Sequence, residues 1–308
     1  MASAVLSAEN PRRIKEGSIS SKSGTFAASR GEPIHRWFKY SAGFSSVWTE
    51  SLIREKSPRL VLDPFVGSGT VCVVADTLGV ASVGVEAHPF VFRMARAKLS
   101  WSTDIEQFRS ATSDIAKLAK ASRKKHKNTS DLLEKCYKES VLDELFALRS
   151  AYRAIEDSLP SAIRDLVFLA ISAILRPVSH VGTAQWQYIL PSKTKAKPAN
   201  VFDAFEAQVS AMCADMTSAQ LRSTKARSKI IASDARTLVG VGKNTVDLVI
   251  TSPPYANNYD YADATRLEMT FWGEIDSWGD LHDAVRKYLV RETLILLRCR
   301  SMNLSDGV

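Results

Sequence analysis

The stretch that decides the fold is Arg59-Leu60-Val61-Leu62-Asp63-Pro64-Phe65-Val66-Gly67-Ser68-Gly69-Thr70. It begins with a short apolar run that ends in an acidic residue and a turn, a pattern typical of a buried parallel strand. Thr70 to Leu78 then has the pattern of a helix, and Ala81 to Glu86 that of a second buried strand. Strand, glycine turn, helix and strand form a βαβ unit. We therefore predict an α/β fold with a Rossmann-like parallel sheet.

The glycine turn and the acidic residues around it predict a nucleoside site. Gly67 and Gly69 allow a tight turn and let a ligand approach the backbone, where the next helix offers free N–H groups. Glu86 ends the second strand 23 positions after Asp63, where a carboxylate can accept hydrogen bonds from ribose hydroxyls. A dinucleotide pattern would place a third glycine or an alanine at position 72, where this chain has Cys72. This difference disfavours NAD.

A second motif follows a later apolar strand. Lys229 to Ser233 and Asp247 to Thr251 are two further predicted strands, and Ser252-Pro253-Pro254-Tyr255 comes directly after the second of them. Two adjacent prolines fix the backbone and donate no N–H, so their carbonyl groups are held rigidly. The Ser252 hydroxyl and the Pro253 carbonyl could accept both N–H groups of an exocyclic amine, while Tyr255 stacks on its ring. The alternative is that the proline pair only ends a strand.

Between the two halves lies a block of about 120 residues, Asp104 to Ser223, with helical periodicity, too long for a simple loop. It contains two basic stretches, Arg123-Lys124-Lys125-His126-Lys127 and the loop that carries Lys193, Lys195 and Lys197. The chain has a formal net charge of +8 and a pI of about 9.3, which favours a polyanionic partner. We expect the block to contact a nucleic-acid backbone, with a solvated basic surface as the alternative.

Composition excludes several other classes. With 45% hydrophobic and 24% charged residues the chain is typical of a globular protein, and it contains no apolar run of the length that spans a membrane. The four cysteines and five histidines are scattered, so we predict neither a metal site nor a disulfide framework, and we expect a cytoplasmic protein. Residues 1–33, rich in Ser, Ala and Arg, are predicted to be a flexible N-terminal segment.

The motifs together resemble those of the DNA amino-methyltransferases, the N4-cytosine and N6-adenine enzymes of bacterial restriction-modification and related systems. The resemblance rests on Asp63 to Thr70 (DPFVGSGT), Val85 to Pro89 (VEAHP), Ser233 to Arg236 (SDAR) and Thr251 to Tyr255 (TSPPY). It implies a class I methyltransferase core that binds S-adenosylmethionine and methylates DNA. The serine variant of the proline motif is similar to that of enzymes that make N4-methylcytosine, which favours that product over N6-methyladenine.

The same resemblance implies roles for individual residues. Asp63, Phe65, Gly67 and Gly69 would line the methionine end of the cofactor, Glu86 would hold its ribose, and Asp234 would bind its adenine amino group. The stretch Lys39 to Phe44 is similar to the family's N-terminal cofactor segment, with Phe44 as a contact. Ser252, Pro253, Pro254 and Tyr255 would form the catalytic motif.

The resemblance also predicts strands that the sequence pattern does not show. Enzymes of this fold have a seven-stranded sheet, and only four strands can be assigned here. We therefore expect an incomplete sheet in which Asp247 to Thr251 is an unpaired edge. Either a second polypeptide supplies the remaining strands, or the chain is a truncated or split product that lacks them. The expected division is residues 1–33, a cofactor-binding half at 34–103, a helical insertion at 104–226 and a catalytic half at 227–308.

Other functions remain open at this point. Proline-pair motifs also serve RNA substrates, so an RNA base methyltransferase is the nearest alternative. The chain could also be a catalytically inactive subunit that binds DNA or cofactor.

Overall fold

The computed structural model describes residues 5–7, 31–40, 45–122, 125, 129–182, 197–222, 226–252 and 260–288. Their strands form one sheet in the order β1-β5-β2-β3-β4. β2, β3, β4 and β5 run parallel, and β1 pairs antiparallel with β5. The bounds are β1 Val5–Ser7, β2 Leu60–Asp63, β3 Ala81–Glu86, β4 Lys229–Ala232 and β5 Leu248–Ile250. The chain has the predicted Rossmann-like α/β fold, and the four parallel strands lie where the sequence predicted them.

The outer edge of β5 is paired, which corrects one prediction. We expected β5 to leave an apolar edge open and residues 1–33 to be a flexible segment. Instead, Val5, Leu6 and Ser7 lie opposite Ile250, Val249 and Leu248 in the ladder. An antiparallel strand on an otherwise parallel sheet satisfies the backbone N–H and C=O groups that the edge would leave unpaired. The unpaired-edge prediction was wrong, because Val5–Ser7, within the segment predicted to be flexible, form a strand on that edge.

Nine α-helices lie within the described part of the chain. Their bounds are α1 Ser46–Lys56, α2 Thr70–Thr77, α3 Pro89–Lys98, α4 Ile105–Ala121, α5 Asp131–Cys136, α6 Glu139–Ile155, α7 Ser161–Val178, α8 Val201–Arg222 and α9 Arg266–Trp272. Local signals set several of the starts. Ser45 caps α1 by accepting from the Trp48 N–H, and Asn200 Oδ1 accepts from the N–H groups of Phe202 and Asp203 at the start of α8.

The two faces of the sheet bury different apolar sets, because successive side chains on a strand point to opposite faces. On one face, Val61, Leu248 and Ile250 pack with residues of α1 and α2. Leu62, Val83 and Val85 form a second cluster, against partly buried apolar residues of the segment 238–246.

Gly84 in β3 is required by close approach. A Cβ atom at this position would lie 2.6 Å from Cγ2 of Val66 and 2.8 Å from Cδ1 of Ile230, which is too close for either to tolerate without moving. The glycine therefore lets the turn after β2 pack directly over β3, where the Val66 N–H donates to the Val85 carbonyl over 3.1 Å.

The helical block shares a hydrophobic core with α3, the helix that follows β3. Phe90 and Met94 of α3 are fully buried in one cluster with Phe168 of α7. At the edge of this contact, Asp165 of α7 accepts two hydrogen bonds from the Arg96 guanidinium, of 2.6 and 2.7 Å. The block is thus joined to the sheet by both apolar packing and a bidentate ion pair.

A second ion pair, which is more deeply buried, joins α7 to α9. The Arg176 guanidinium donates to both carboxylate oxygens of Glu268, over 2.7 and 2.9 Å, and to the Ala264 carbonyl over 3.1 Å. The Glu268 side chain is completely buried and that of Arg176 is 17% exposed. The pair anchors α9, which follows the segment that contains the proline pair.

We expect Glu268→Gln to lower the free energy of unfolding by roughly 3 kcal/mol or more, because it leaves a buried guanidinium without its counter-charge. Chemical denaturation monitored by circular dichroism measures this change. Glu50→Gln is the matched control, since Glu50 forms an exposed pair with Arg54 within α1. That control should cost about 0.5 kcal/mol or less. Equal losses in the two variants would contradict the role given to Arg176 and Glu268.

Candidate functional site

Several of the predicted site residues lie at the carboxyl edge of the parallel strands. Asp63 is the last residue of β2 and Glu86 the last of β3, while Ser233 and Thr251 directly follow β4 and β5. The backbone holds these ends together, since the Ser233 N–H donates to the Glu86 carbonyl over 3.1 Å. Ligands of open α/β sheets bind at this edge.

The glycine turn has the conformation that its sequence predicts. Gly67 and Gly69 have φ values of +49° and +84°, in the left-handed region that other residues adopt only with strain. The Gly69 N–H closes the turn on the Val66 carbonyl over 2.8 Å. Gly69 also directly precedes α2, whose first N–H groups point out of the helix at this edge.

The Glu86 carboxylate is fixed by the backbone around it. Oε2 accepts from the Gly67 N–H over 3.0 Å, and Oε1 accepts from the His88 N–H over 2.9 Å. Two carboxylate oxygens offer about four acceptor positions, so the group keeps capacity for further donors. Glu86 thus bridges the glycine turn and the start of α3 and can still receive hydroxyl groups from a ligand.

The Asp63 carboxyl is more deeply buried, with 1% of the residue exposed. Its Oδ1 accepts from the Thr251 hydroxyl over 2.8 Å and from the Phe65 N–H over 3.1 Å. Its Oδ2 is buried and has no hydrogen-bond partner among the described residues. A buried acceptor without a donor is costly, so a donor supplied by a ligand or a water molecule would be favourable at this position.

Burial raises the pKa of both carboxyl groups to about 7. For Asp63, the hydrogen bonds from Thr251 and Phe65 oppose this rise, and the charge of Glu86 adds to it. For Glu86, the backbone N–H groups of His88 and Gly67 oppose it. Two neighbouring carboxyls that titrate near neutrality are typical of a functional site.

The Thr251–Asp63 hydrogen bond joins the two motifs directly. Thr251 is the first residue of the TSPPY motif, and its hydroxyl contacts the carboxyl group that begins the glycine turn. Sequence reasoning did not assign this contact, because it depends on β5 lying beside β2 in the sheet. Ser252 follows at the same edge and is partly buried. Pro253, Pro254 and Tyr255 lie outside the described residues.

Asp234 lies just beyond the end of β4, and its side chain is paired within the loop. The Arg236 guanidinium donates to both of its oxygens, and the Arg236 N–H donates to Oδ1 over 2.8 Å. This arginine lowers the pKa of Asp234, so the carboxylate stays ionised. It is partly exposed and next to the Ser233 link to β3.

The N-terminal segment reaches the same turn. Tyr40 is buried, and Cε1 of its ring would lie 3.9 Å from a Cβ built at Gly67. The described start of the predicted cofactor segment therefore lies beside the glycine turn. Phe44 lies outside the described residues. Tyr40, which sequence reasoning did not single out, is the described member of the segment that approaches the site.

His88 connects the site to the region after the proline pair. Its ring Nε2 is 2.8 Å from the Thr265 hydroxyl, just before α9, and its backbone N–H binds Glu86. Burial lowers the pKa of His88 to about 3, so the imidazole is neutral. It is a structural link between the Glu86 turn and α9.

Two features are absent from the described residues. None of their His, Cys, Asp and Glu side chains form a group of three or more that could hold a metal ion. In the same ranges, no helix has the length and apolar character needed to cross a membrane.

Comparison with known proteins gives consistent matches. The family model described as DNA methylase matches residues 21–97. The type II methyltransferase M.BsoBI of Geobacillus stearothermophilus is 25% identical over 279 residues, covering 81% of this chain and 54% of the relative. The type II methyltransferases M.AvaI of Nostoc sp. and of Anabaena variabilis are each 25% identical over 283 residues, covering 83% of this chain and 57% of the relative.

The chain thus spans about half the length of the curated relatives it matches. The matches agree with the resemblance that the motifs predicted, since residues 21–97 contain both the glycine turn and Glu86. The chain is thus similar to the DNA methylase family over residues 21–97 and to type II methyltransferases over most of its length.

Proposed function

We propose that this chain takes part in the transfer of a methyl group from S-adenosylmethionine to the exocyclic amino group of a base in DNA, with N4 of cytosine favoured over N6 of adenine. The observation that carries the proposal is the hydrogen bond between Thr251 and Asp63. It connects the first residue of the proline motif to the carboxyl group of the glycine turn. A nucleoside cofactor held by the turn and an amine held at Ser252 would then be neighbours.

The residues present fit S-adenosylmethionine. The cofactor carries an ammonium group and a ribose diol, both of them hydrogen-bond donors. Asp63 supplies a buried acceptor that has no donor among the described residues, and Glu86 keeps acceptor capacity beside Gly67. Asp234 at the end of β4 is the proposed acceptor for the adenine amino group, a role that requires it to share its carboxylate with Arg236.

The chain's own part in the reaction is to hold two reactants in line. The cofactor, when bound, supplies a methyl group activated by its attachment to a sulfonium. The Ser252 hydroxyl and the Pro253 carbonyl accept the two N–H groups of the target amine, which localises the nitrogen lone pair. Tyr255 stacks on the base, which has to leave the duplex to reach the site. Such a reaction depends mainly on positioning.

DNA as the substrate is supported by the relatives and by the net charge of +8. The helical block between the two halves of the site is the proposed contact with the DNA backbone. Of the three lysines assigned to this contact, Lys197 lies in the described part of the chain and is exposed. Lys193 and Lys195 lie outside it.

We expect Glu86→Ala to weaken S-adenosylmethionine binding by roughly 10- to 100-fold, the equivalent of a lost hydrogen bond to a charged group. Isothermal titration calorimetry with S-adenosylmethionine measures the effect. Glu50→Ala, which removes an exposed carboxylate of α1, is the control and should bind as the parent does. Equal affinity of parent and Glu86→Ala would contradict the ribose assignment, and a preference for NAD would contradict the proposed function.

The affinity for S-adenosylmethionine should fall as the pH drops below about 7, where Asp63 and Glu86 take up protons. The ionised carboxylates accept the ligand's donors, whereas protonation removes the negative charge and turns one acceptor oxygen of each group into a donor. If the site must release one proton to bind the cofactor, the dissociation constant rises about tenfold for each pH unit below the pKa. Calorimetric titrations between pH 8 and pH 5.5 test this, with Glu86→Gln as a comparison that should show a shallower dependence. A dissociation constant that does not change with pH would exclude this role for the carboxyl groups.

We expect Ser252→Ala and Tyr255→Ala to abolish methyl transfer while the affinity for S-adenosylmethionine changes little, because both residues are proposed to hold the base. Transfer of a labelled methyl group to DNA measures the rate, and mass spectrometry of the nucleosides distinguishes N4-methylcytosine from N6-methyladenine. The same assay with RNA tests the nearest alternative substrate. A Ser252→Ala variant that methylates at the parental rate would remove Ser252 from the mechanism.

A further inference from the structure

The segment 34–40, which precedes the glycine turn in sequence and passes beside it, is held by a concentrated set of polar contacts. Ile34, Trp37, Phe38 and Tyr40 are all buried. His35–Trp37 forms a single short helical turn, which cannot stabilise itself. Its conformation therefore depends on tertiary contacts, and the strongest of these come from the helical block.

Asp215 of α8 is the centre of these contacts. Its Oδ2 accepts from the Ile34 N–H over 2.9 Å, from the Trp37 indole N–H over 2.9 Å and from Arg36 Nε over 3.0 Å. Its Oδ1 accepts from Arg36 Nη2 over 2.5 Å. One buried carboxylate thus binds the main chain and two side chains of the segment. Charge-assisted hydrogen bonds of this kind are the strong ones in proteins.

Two further side chains bind the carbonyl groups of the same segment. Gln208, two turns earlier on α8, donates to the Trp37 carbonyl over 3.0 Å. Lys98 at the end of α3 is fully buried and donates to the His35 carbonyl over 3.1 Å and towards the Phe38 carbonyl over 3.5 Å. Side chains from outside the segment therefore bind both N–H groups and carbonyl groups within it.

The backbone shows that these contacts impose a conformation. Ile34 has φ of +66°, which is unfavourable for a β-branched residue. Such a conformation persists only where the surroundings hold it. The Ile34 N–H that binds Asp215 lies at this residue. Six residues later, Tyr40 lies beside Gly67 in the glycine turn.

From these contacts we infer that Asp215 is a positioning residue for the cofactor, and that α8 of the helical block holds the segment 34–40 in place against the glycine turn. The helical block then serves the cofactor site as well as any DNA contact. This inference rests on the proposed function, because it assigns the segment to S-adenosylmethionine binding. It predicts that a change more than a hundred residues away in sequence from the glycine turn alters cofactor affinity.

The test compares Asp215→Asn with Asp165→Asn in the whole chain. Asp165 is the matched control, since it is also a buried aspartate of the helical block with a bidentate arginine partner, but it binds Arg96 of α3 and not the segment. Calorimetry with S-adenosylmethionine and thermal unfolding are measured for both. Hydrogen–deuterium exchange at residues 31–40 is measured without ligand.

We expect both variants to lower the melting temperature, while Asp215→Asn alone raises the dissociation constant by about tenfold or more. Asp215→Asn should also speed amide exchange at residues 31–40, and Asp165→Asn should not. Arg36→Met is a second variant, which keeps the bonds of Asp215 to Ile34 and Trp37 but removes the counter-charge of the buried carboxylate. It should change affinity and exchange in the same direction as Asp215→Asn.

Equal rises in the dissociation constant for Asp215→Asn and Asp165→Asn would overturn the inference, since general destabilisation would then explain both. Unchanged amide exchange at residues 31–40 in Asp215→Asn and Arg36→Met would also overturn the inference, whatever affinity for S-adenosylmethionine is measured. If the parent chain bound no S-adenosylmethionine, the proposed function would fall and the inference with it. The parent titration and the exchange measurement therefore separate the two failures.

Discussion

The hydrogen bond from the Thr251 hydroxyl to the Asp63 carboxyl is the contact on which the arrangement of the site depends. It fixes the end of β5 against the end of β2, and so brings together motifs that are nearly two hundred residues apart in sequence. The sheet alone would place both strand ends at one edge without fixing the side chains. With Oδ1 engaged by Thr251 and Phe65, the Asp63 carboxyl has a single orientation, and Oδ2 remains as an acceptor beside the turn.

The helical block is held in place by a different interaction, in which one buried carboxylate accepts several hydrogen bonds. Asp165 joins α7 to α3, Asp215 joins α8 to the segment 34–37, and Glu268 joins α9 to α7. Apolar packing between helices has little directional preference, whereas a carboxylate bound by a planar guanidinium fixes one geometry. These pairs join the block to α3, to the segment 34–37 and to α9, so they fix its position on the rest of the chain.

Sequence reasoning predicted the elements of the site better than the contacts between them. The four parallel strands could be predicted, because strands buried on both faces appear in the sequence as short apolar runs. The turn could be predicted because its backbone conformation favours glycine at Gly67 and Gly69. The strand Val5–Ser7 was not, since three residues give no periodicity and its partner lies at the far end of the chain. Asp215 was also missed, because an aspartate within an amphipathic helix reads as part of its polar face.

The raised pKa values mean that ionising the buried carboxyl groups lowers the stability of the fold, and that a bound ligand can offset this loss. An aspartate with a pKa of about 7 when folded, against an ordinary value near 3.8, binds a proton more readily in the folded state. Between these values the folded state holds more protons than the unfolded one, so stability falls as the pH rises through that window. Above pH 7 the chain therefore carries the full cost of the buried charge at Asp63, and Glu86 adds to it. A ligand that donates hydrogen bonds to these groups offsets this cost, so it stabilises the fold most where the ligand-free site is least stable.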